Sequence, residues 1–401
     1  MNIFVVNSGS SSIKYQLFKM PATDPVCSGL VERIGLSNPT ITHKVYIDGD
    51  EKVIKLTPEE LPDHEAGLKE VNQLLTGGDW AVIKDPADIQ LIGHRIVHGG
   101  ETFTTTTIID AGVKEKLKNT FQLAPLHNPA SYLGIEVAEK IFTNATQIGV
   151  FDTAFHQTLP AKAYRFAIPN TYYTDFNIRS YGFHGTSHKY VTEQAADYLG
   201  KNDSKFISIH LGNGCSMAAV KNGRSIDTSM GFGPLSGLVM GTRSGDIDPT
   251  VIFYLVNQLG YDIEQVSNLL NKRSGMAGLT GYSDMRDITN AIEQGNEDAK
   301  LAYDLYAYRI KKYIGAYAAA LNGLDAIIFT AGVGENDALI RELICTDMDY
   351  LGLKLDTATN KVRAKGIRKI NQSDSPAKIL IIPTNEELEI AQQCFQMVSN
   401  S

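Results

Sequence analysis

The feature that most constrains this chain is a theme that occurs once in each half. An apolar strand runs into a small polar turn containing glycine, and a second strand answers it. Near the start, residues 2–7 (NIFVVN) end in the turn 8–12, and residues 13–18 (IKYQLF) read as the return strand. In the second half, residues 206–211 run into Gly212, Asn213 and Gly214, and residues 216–220 return. Asn222 and Gly223 turn the chain again, and residues 225–228 continue it. With 401 residues, too many for one ordinary core, the repeated theme predicts two related domains.

Other elements fill in around these units. Residues 41–47 and 51–56 flank Asp48, Gly49 and Asp50, a further hairpin signal. Helical spacing covers residues 65–75 and 113–121, and strand 89–92 leads into His94, Arg95, Ile96, Val97, His98, Gly99 and Gly100. A strand over 147–151 ends at Asp152. A long helix is predicted over 297–321, with Leu301, Leu305, Tyr308, Tyr313, Tyr317 and Leu321 on its apolar face and Gly323 as its stop. Strand 326–329 then leads to a loop through Ala331–Asn336. Strand 378–382 precedes a final helix that opens at Thr384 and buries Leu388, Ala391, Phe395 and Val398. No low-complexity linker is visible. The expected division is 1–151 plus 387–401, an acceptor and phosphate domain closed by the last helix, and 152–386, a nucleotide-binding domain.

The formal net charge of −8 argues against nucleic acid as a partner, because a phosphate backbone demands clustered Lys and Arg. It does not argue against a nucleotide, for which a few placed cations suffice. The four cysteines, Cys27, Cys215, Cys345 and Cys394, have no C-x-x-C or metal-ligand spacing and read as free thiols in a reducing compartment. No signal-peptide pattern and no apolar run near the ~20 residues of a membrane span is present, so a cytoplasmic chain with no membrane association is expected.

Three loops following apolar strands are compatible with phosphate or nucleotide. The first is Asn7, Ser8, Gly9, Ser10, Ser11 and Ser12, with Lys14 beyond it. Glycine allows close backbone approach, and hydroxyl and amide groups supply donors. The second is His210, Leu211, Gly212, Asn213 and Gly214; the third is Gly332, Val333, Gly334, Glu335 and Asn336. None fits G-x-G-x-x-G in a βαβ unit or G-x-x-x-x-G-K-[ST]. Any one of them alone is equally well a plain turn. Arg95 and Arg243 lie among glycines and small residues instead of on a charged helix face, which suits bidentate recognition of carboxylate or phosphate. Asp152 reads either as a functional carboxylate or as a helix N-cap. His184 stands between aromatic and glycine neighbours in Tyr181, Gly182, Phe183, His184 and Gly185. Thr384 and Glu387 fit a capping box, which leaves Glu386 to face a cation.

Taken together, these segments resemble the acetate kinase family from the first strand to the last helix. The segments that carry the resemblance are residues 6–15, those around Arg95 and Arg243, 151–156, 181–188, 212–214, 332–336 and 384–387. Departures are Cys215 after the Gly-Asn-Gly turn, where relatives usually carry Ser, and Gly233 and Ser236 in place of a common Thr and Glu. The resemblance implies an α/β protein with the two-domain actin-like ATPase (ribonuclease H-like) fold, a duplicated βββαβαβα core around a nucleotide cleft. It implies reversible transfer of the ATP γ-phosphoryl group to acetate, giving acetyl phosphate and ADP on a route to acetyl-CoA, with Mg²⁺ (or Mn²⁺ in its place), in a homodimer. By the same resemblance Asn7 and Glu386 hold the metal. Lys14, His210, Leu211, Gly212, Asn213 and Gly214 contact phosphates. Asp284, Met285, Arg286, Gly332, Val333, Gly334, Glu335 and Asn336 enclose the nucleoside. Arg95 binds the acetate carboxylate, Arg243 bridges acceptor and phosphoryl group, His184 stabilises the transition state and Asp152 acts as acid or base. Val97, Leu126, Phe183 and Pro234 surround the methyl group.

Chemistry tempers one of these roles. A carboxylate with a pKa of ~4–5 is already ionised at neutral pH and needs no base. The obstacle is bringing one anion against another, which cations and fixed dipoles relieve. Asp152 is therefore expected to orient an arginine or the metal. Rival readings are a propionate or other short-chain acyl kinase, a sugar or polyol kinase of the same fold, and a non-enzymatic nucleotide switch. The Tyr-rich stretch 303–317 reads as either a subunit interface or a core.

Overall fold

The protein is described by a computed structural model that covers residues 1–47 and 49–399. Asp48 of the second hairpin signal, and residues 400–401 at the end of the expected first domain, lie outside the described residues. The chain divides into two units. Unit 1 is Met1–Ala154 together with the chain from Asn385 onward, and unit 2 is Phe155–Thr384. Asp152, Asn385 and Glu386, expected in the second domain, thus fall in unit 1. The reason is bonding: Asp152 pairs with Arg95, and Asn385 Oδ1 accepts from the Leu388 N–H at the start of the last helix.

Unit 1 holds an eight-stranded sheet. Its strands are β1 (Asn2–Ser8), β2 (Ser12–Lys19), β3 (Pro25–Glu32), β4 (Thr40–Ile47), β5 (Asp50–Leu56), β6 (Leu91–Ile96), β7 (Thr107–Ile108) and β8 (Thr146–Phe151), in the order β5-β4-β3-β2-β1-β6-β8-β7. β1 pairs antiparallel with β2 and parallel with β6, and β6 pairs parallel with β8. Alternation along β1 sends Phe4 and Val6 into a core with Leu68, Val71 and Leu75 of helix His64–Thr76 and Val137 and Ala138 of helix Asn128–Ile141. The last helix, Glu386–Ser399, packs against β1 and β6. A Cβ at Gly93 would stand 2.7 Å from Ile390 and 2.9 Å from Cys394, so that close approach requires glycine. The last helix buries Leu388, Ile390, Ala391 and Cys394; Phe395 and Val398, expected in this stripe, are half-buried.

Unit 2 repeats the theme with a six-stranded sheet. Its strands are β9 (Lys205–Leu211), β10 (Cys215–Lys221), β11 (Arg224–Thr228), β12 (Ala326–Thr330), β13 (Arg368–Lys369) and β14 (Lys378–Ile381), ordered β11-β10-β9-β12-β14-β13. The segments β3-β2-β1-β6-β8 and β11-β10-β9-β12-β14 are the same arrangement: two antiparallel hairpin strands beside three parallel ones. This is the duplication that the resemblance implies. Helix Gly185–Leu199 packs on β9 and β12 through Val191 and Ala195.

Two predicted features change. Helix Glu297–Leu321 has the expected bounds, but it buries Tyr303, Tyr306, Ile310, Ile314, Tyr317 and Leu321 along with small alanines. Leu301 and Tyr308 are exposed. Asn322, in the left-handed region at φ 52°, ends this helix ahead of Gly323. Residues Ala331–Asn336 form a short helix where a loop was expected.

Candidate active site

In unit 1 the parallel strands β1, β6 and β8 end side by side, and their carboxyl ends carry Asn7, Arg95 and, one residue on, Asp152. Ligands of parallel sheets gather at this edge, where strands give way to polar loops. Arg95 grips Asp152 with both prongs: Nη2 lies 2.7 Å from Oδ2 and Nε 3.2 Å from Oδ1. Burial works against the Arg95 charge. Asp152, Glu386 and Glu387 outweigh it and hold the guanidinium above its usual pKa. Glu386 is therefore electrostatically close to Arg95. Lys14, opposite Asn7 across the hairpin, ion-pairs with Glu387 at 2.7 Å. That overturns the capping box: Glu387 serves Lys14, Asn385 caps the helix, and Thr384 Oγ1 lies 2.8 Å from Ser187 Oγ. Val97 is half-buried, while Leu126 is 69% exposed.

The turn after β6 is held by a residue that the sequence reading missed. The His98 N–H donates to Asn128 Oδ1 (3.1 Å), and Asn128 Nδ2 donates to the His98 carbonyl (2.8 Å). Asn128 opens helix Asn128–Ile141, and its only sequence signal is its place just before Pro129 at a helix start.

In unit 2 the carboxyl ends of β9 and β12 border a cavity of about 910 Å³. Gly212, Asn213, Asp284, Met285, Arg286, Gly332, Val333, Glu335 and Asn336 all line it. The volume is in the range of small-molecule sites, about 300–1,000 Å³. Leu211 and Gly334 are buried behind this lining, His210 sits in the histidine cluster described next, and Lys14 belongs to unit 1. At the rim Asp284 bonds Arg286, and this holds its carboxyl down at about 2; Arg286 itself is 89% exposed. Burial raises Glu335, whose Oε1 accepts from the Thr384 N–H.

The cavity also draws on Arg341, Lys361, Arg363 and Arg368, which lack a motif. Arg341 is 1% exposed and donates to neutral oxygens: the Gly334 carbonyl at 2.9 Å, Asn360 Oδ1 at 2.8 Å and the Asn360 carbonyl at 2.9 Å. Burial, then Arg368, lowers it to about 10. It tethers helix Ala331–Asn336 to the far wall. Hydrogen bonds from a charged group contribute about 1.5–3 kcal/mol each, so Arg341→Met is expected to destabilise unit 2 by roughly 2–4 kcal/mol and to raise the KM for nucleotide, read by thermal melts and initial rates.

Beside the cavity lies a cluster of histidines. His184, in the left-handed region at φ 55°, precedes helix Gly185–Leu199 and stacks on His210 with centroids 4.3 Å apart. His184 Nδ1 is 2.9 Å from Ser216 Oγ, and His210 Nδ1 is 2.9 Å from Ser187 Oγ. A Cβ at Gly214 would stand 3.5 Å from His184 Nε2 and 3.7 Å from Arg243 Nη1. Glycine leaves that space open, bounded by an imidazole and a guanidinium. Burial lowers the pKa of Arg243, which donates to the Pro234 carbonyl at 3.0 Å. Pro234 thereby adjoins Arg243, and Phe183 is buried with its carbonyl 3.1 Å from His156 Nε2. Cys215, the departure noted in the sequence, is buried with Sγ 3.2 Å from Tyr306 Oη; burial pushes its thiol up to about 11. No group of three or more His, Cys, Asp or Glu among the described residues has metal-holding geometry.

Comparison with known proteins adds a separate line. Residues 2–392 match the acetokinase family. An acetate kinase of Flavobacterium johnsoniae is 56% identical over 400 residues, covering all of both chains, and one of Thermotoga maritima is 50% identical over 403 residues, covering 99% of each. Among solved structures, Porphyromonas gingivalis acetate kinase superposes with a TM-score of 0.92 at 41% identity, covering 99% of each chain. A propionate kinase from Francisella tularensis gives 0.90 at 42% identity, covering 98% of each. The chain belongs to the acetokinase family.

Proposed function

We propose that this protein is an acetate kinase that moves the γ-phosphoryl group of ATP reversibly to acetate, with Mg²⁺, in the cytoplasm and as a homodimer. The observation that carries the reading is one unit 2 cavity lined by three separate segments that the resemblance ties to the nucleotide: 212–213, 284–286, and 332–333 with 335–336. ATP occupies that cavity with its phosphates toward Gly214, where His184 and Arg243 bound the open space. In unit 1, Arg95 takes the acetate carboxylate while Asp152 fixes its orientation.

Asn7, near the end of β1, and Glu386, the first residue of the last helix, offer hard oxygens of the kind that fits Mg²⁺: it is commonly held by one or two carboxylates, with substrate phosphates completing its shell. Bound there, the ion supplies charge neutralisation of the phosphoryl oxygens. The chain's own part is to place cations and to exclude competing acceptors. Arg243 and His184 stabilise the equatorial oxygens. The half-buried Val97, just beyond Arg95, limits the acceptor's length. Val97→Ala is expected to raise the propionate-to-acetate ratio of kcat/KM about tenfold, in line with ~1–3 kcal/mol per methylene. An unchanged ratio removes Val97 from the pocket.

Support for a dimer comes from helix Pro249–Asn257, which has no buried residue, and from exposed Val251, Phe253, Tyr254, Leu259 and Ile263 nearby. Tyr303, Tyr306 and Tyr317 of the earlier interface candidate are buried within the chain. No helix among the described residues is long and apolar enough to cross a membrane.

An acyl-hydroxamate assay with ATP, Mg²⁺ and acetate, propionate or butyrate tests the activity. Acyl phosphate formed in step with ADP, fastest from acetate, is the expected result. A faster rate from propionate favours the activity named for the Francisella tularensis relative. ATP hydrolysis without acyl phosphate rejects both.

A further inference from the structure

Ser216 lies at the centre of a buried chain of hydrogen bonds that the proposed mechanism does not use. It is 0% exposed. Its Oγ is 2.9 Å from His184 Nδ1 and 2.7 Å from His188 Nε2, and His188 Nδ1 is in turn 2.8 Å from Ser208 Oγ. The sequence Ser208, His188, Ser216, His184 is therefore one row of alternating hydroxyls and imidazoles.

A hydroxyl carries one proton and can donate to only one of two rings. His188 is fully buried, and burial first, then the nearby His156 and His210, lower its pKa well below the usual value. It is neutral, with a single N–H. Two arrangements keep every contact of the row while the Ser216 proton is used within it. In one, the Ser208 O–H donates to His188 Nδ1, the His188 Nε2–H donates to Ser216 Oγ, and the Ser216 O–H donates to His184 Nδ1. A neutral His184 then carries its proton on Nε2. In the other, every bond is reversed, and a neutral His184 presents a bare lone pair at Nε2.

His184 Nε2 borders the space that Gly214 leaves open beside Arg243. A lone pair there repels a phosphoryl oxygen, whereas an N–H donates to it. We propose that Ser216 and His188 are positioning residues that lock His184 in its Nε2–H tautomer, aimed at the transferring phosphoryl group. The inference rests on the reading of His184 as a transition-state stabiliser. It assigns a task to His188, a member of the 181–188 segment to which the resemblance gave no role. The tautomer of a histidine is set by what its other nitrogen bonds, and here that partner is itself oriented by a second, buried histidine.

Two-bond ¹H–¹⁵N correlation on protein labelled with ¹⁵N-histidine reads the tautomer directly, with the His184 signals assigned by their loss in His184→Gln. The wild-type protein should show His184 neutral and protonated on Nε2. In Ser216→Ala that preference should weaken, and kcat should fall about 10–100-fold while the KM for ATP and for acetate moves less than about threefold, as expected when a group acts only in the transition state. Ser216→Thr, which keeps the hydroxyl, should recover most of the loss. A wild-type His184 protonated on Nδ1, alone or together with Nε2, overturns the proposal, as does a Ser216→Ala enzyme with kcat within about twofold of wild type. If Ser216→Ala does not fold, the wild-type spectrum decides alone. Absence of acyl phosphate from the wild-type enzyme would refute the activity instead, so the two failures are distinct.

Discussion

Replacing Arg243 with alanine is expected to lower kcat by roughly 10²–10⁴-fold, with a smaller change in the KM for acetate. The physical ground is the charge of the reaction. An ionised carboxylate must approach a phosphoryl group whose charge is spread over three oxygens, and arginine contributions to such transition states reach about 10³–10⁵ in rate. Arg243 stands beside the open space at Gly214, held by the Pro234 carbonyl, and its bonds to protein reach only neutral acceptors, the Pro234 oxygen and the Met240 sulfur. Burial lowers its pKa, and among the described residues no carboxylate forms an ion pair with it, so a bound anion relieves the cost of burying its charge. Steady-state rates across a range of acetate and ATP concentrations separate the two parameters. Turnover near that of wild type would remove Arg243 from the reaction.

Asp152→Ala should act differently, on stability and acceptor binding together. Asp152 is 1% exposed and is the carboxylate that meets both prongs of Arg95. Removing one partner of a buried pair leaves the other uncompensated, at about 3–5 kcal/mol. For a unit of this size that corresponds to a fall in melting temperature of roughly 6–20 °C. Arg95, no longer aligned, should bind acetate at least about tenfold more weakly, which appears in the KM. The distinguishing result is the double variant Arg95→Met with Asp152→Ala, which removes both charges and should be more stable than either single variant. If Asp152 were instead a general base, the same loss of stability would come with a fall in kcat and little change in the KM for acetate.

Much of this was legible in the sequence because the chemistry sits at strand ends. Short apolar runs followed by glycine-bearing turns are strong local signals, and they placed β1, β2, β9 and β10 and the loops after them. Two of the segments proposed for the nucleotide were legible for the same reason: residues around Gly212 and Gly332 follow buried strands directly. What stayed hidden depends on contacts between distant segments. Arg341 looks like any helical arginine until it is seen to bond Gly334 and Asn360. Asn128 is a helix start in sequence and a two-way clamp on His98 in space. The Thr384 and Glu387 pattern satisfied a local rule, but a long-range ion pair between Lys14 and Glu387 took the carboxylate instead. Along helix Glu297–Leu321 large apolar residues occur on more than one face, and spacing alone did not separate the exposed Leu301 and Tyr308 from the buried Tyr303, Tyr306, Ile310 and Ile314.

The proposal on which the rest depends is that Arg95 and Arg243 both act on the reacting pair of anions. A double-mutant cycle on Arg95→Lys and Arg243→Lys, read as kcat/KM for acetate, tests it most directly. Groups that serve one transition state are coupled, so the loss in the double variant should differ from the product of the two single losses by about tenfold or more. Losses that multiply to within about twofold would mean that the two arginines act independently, and would contradict the account.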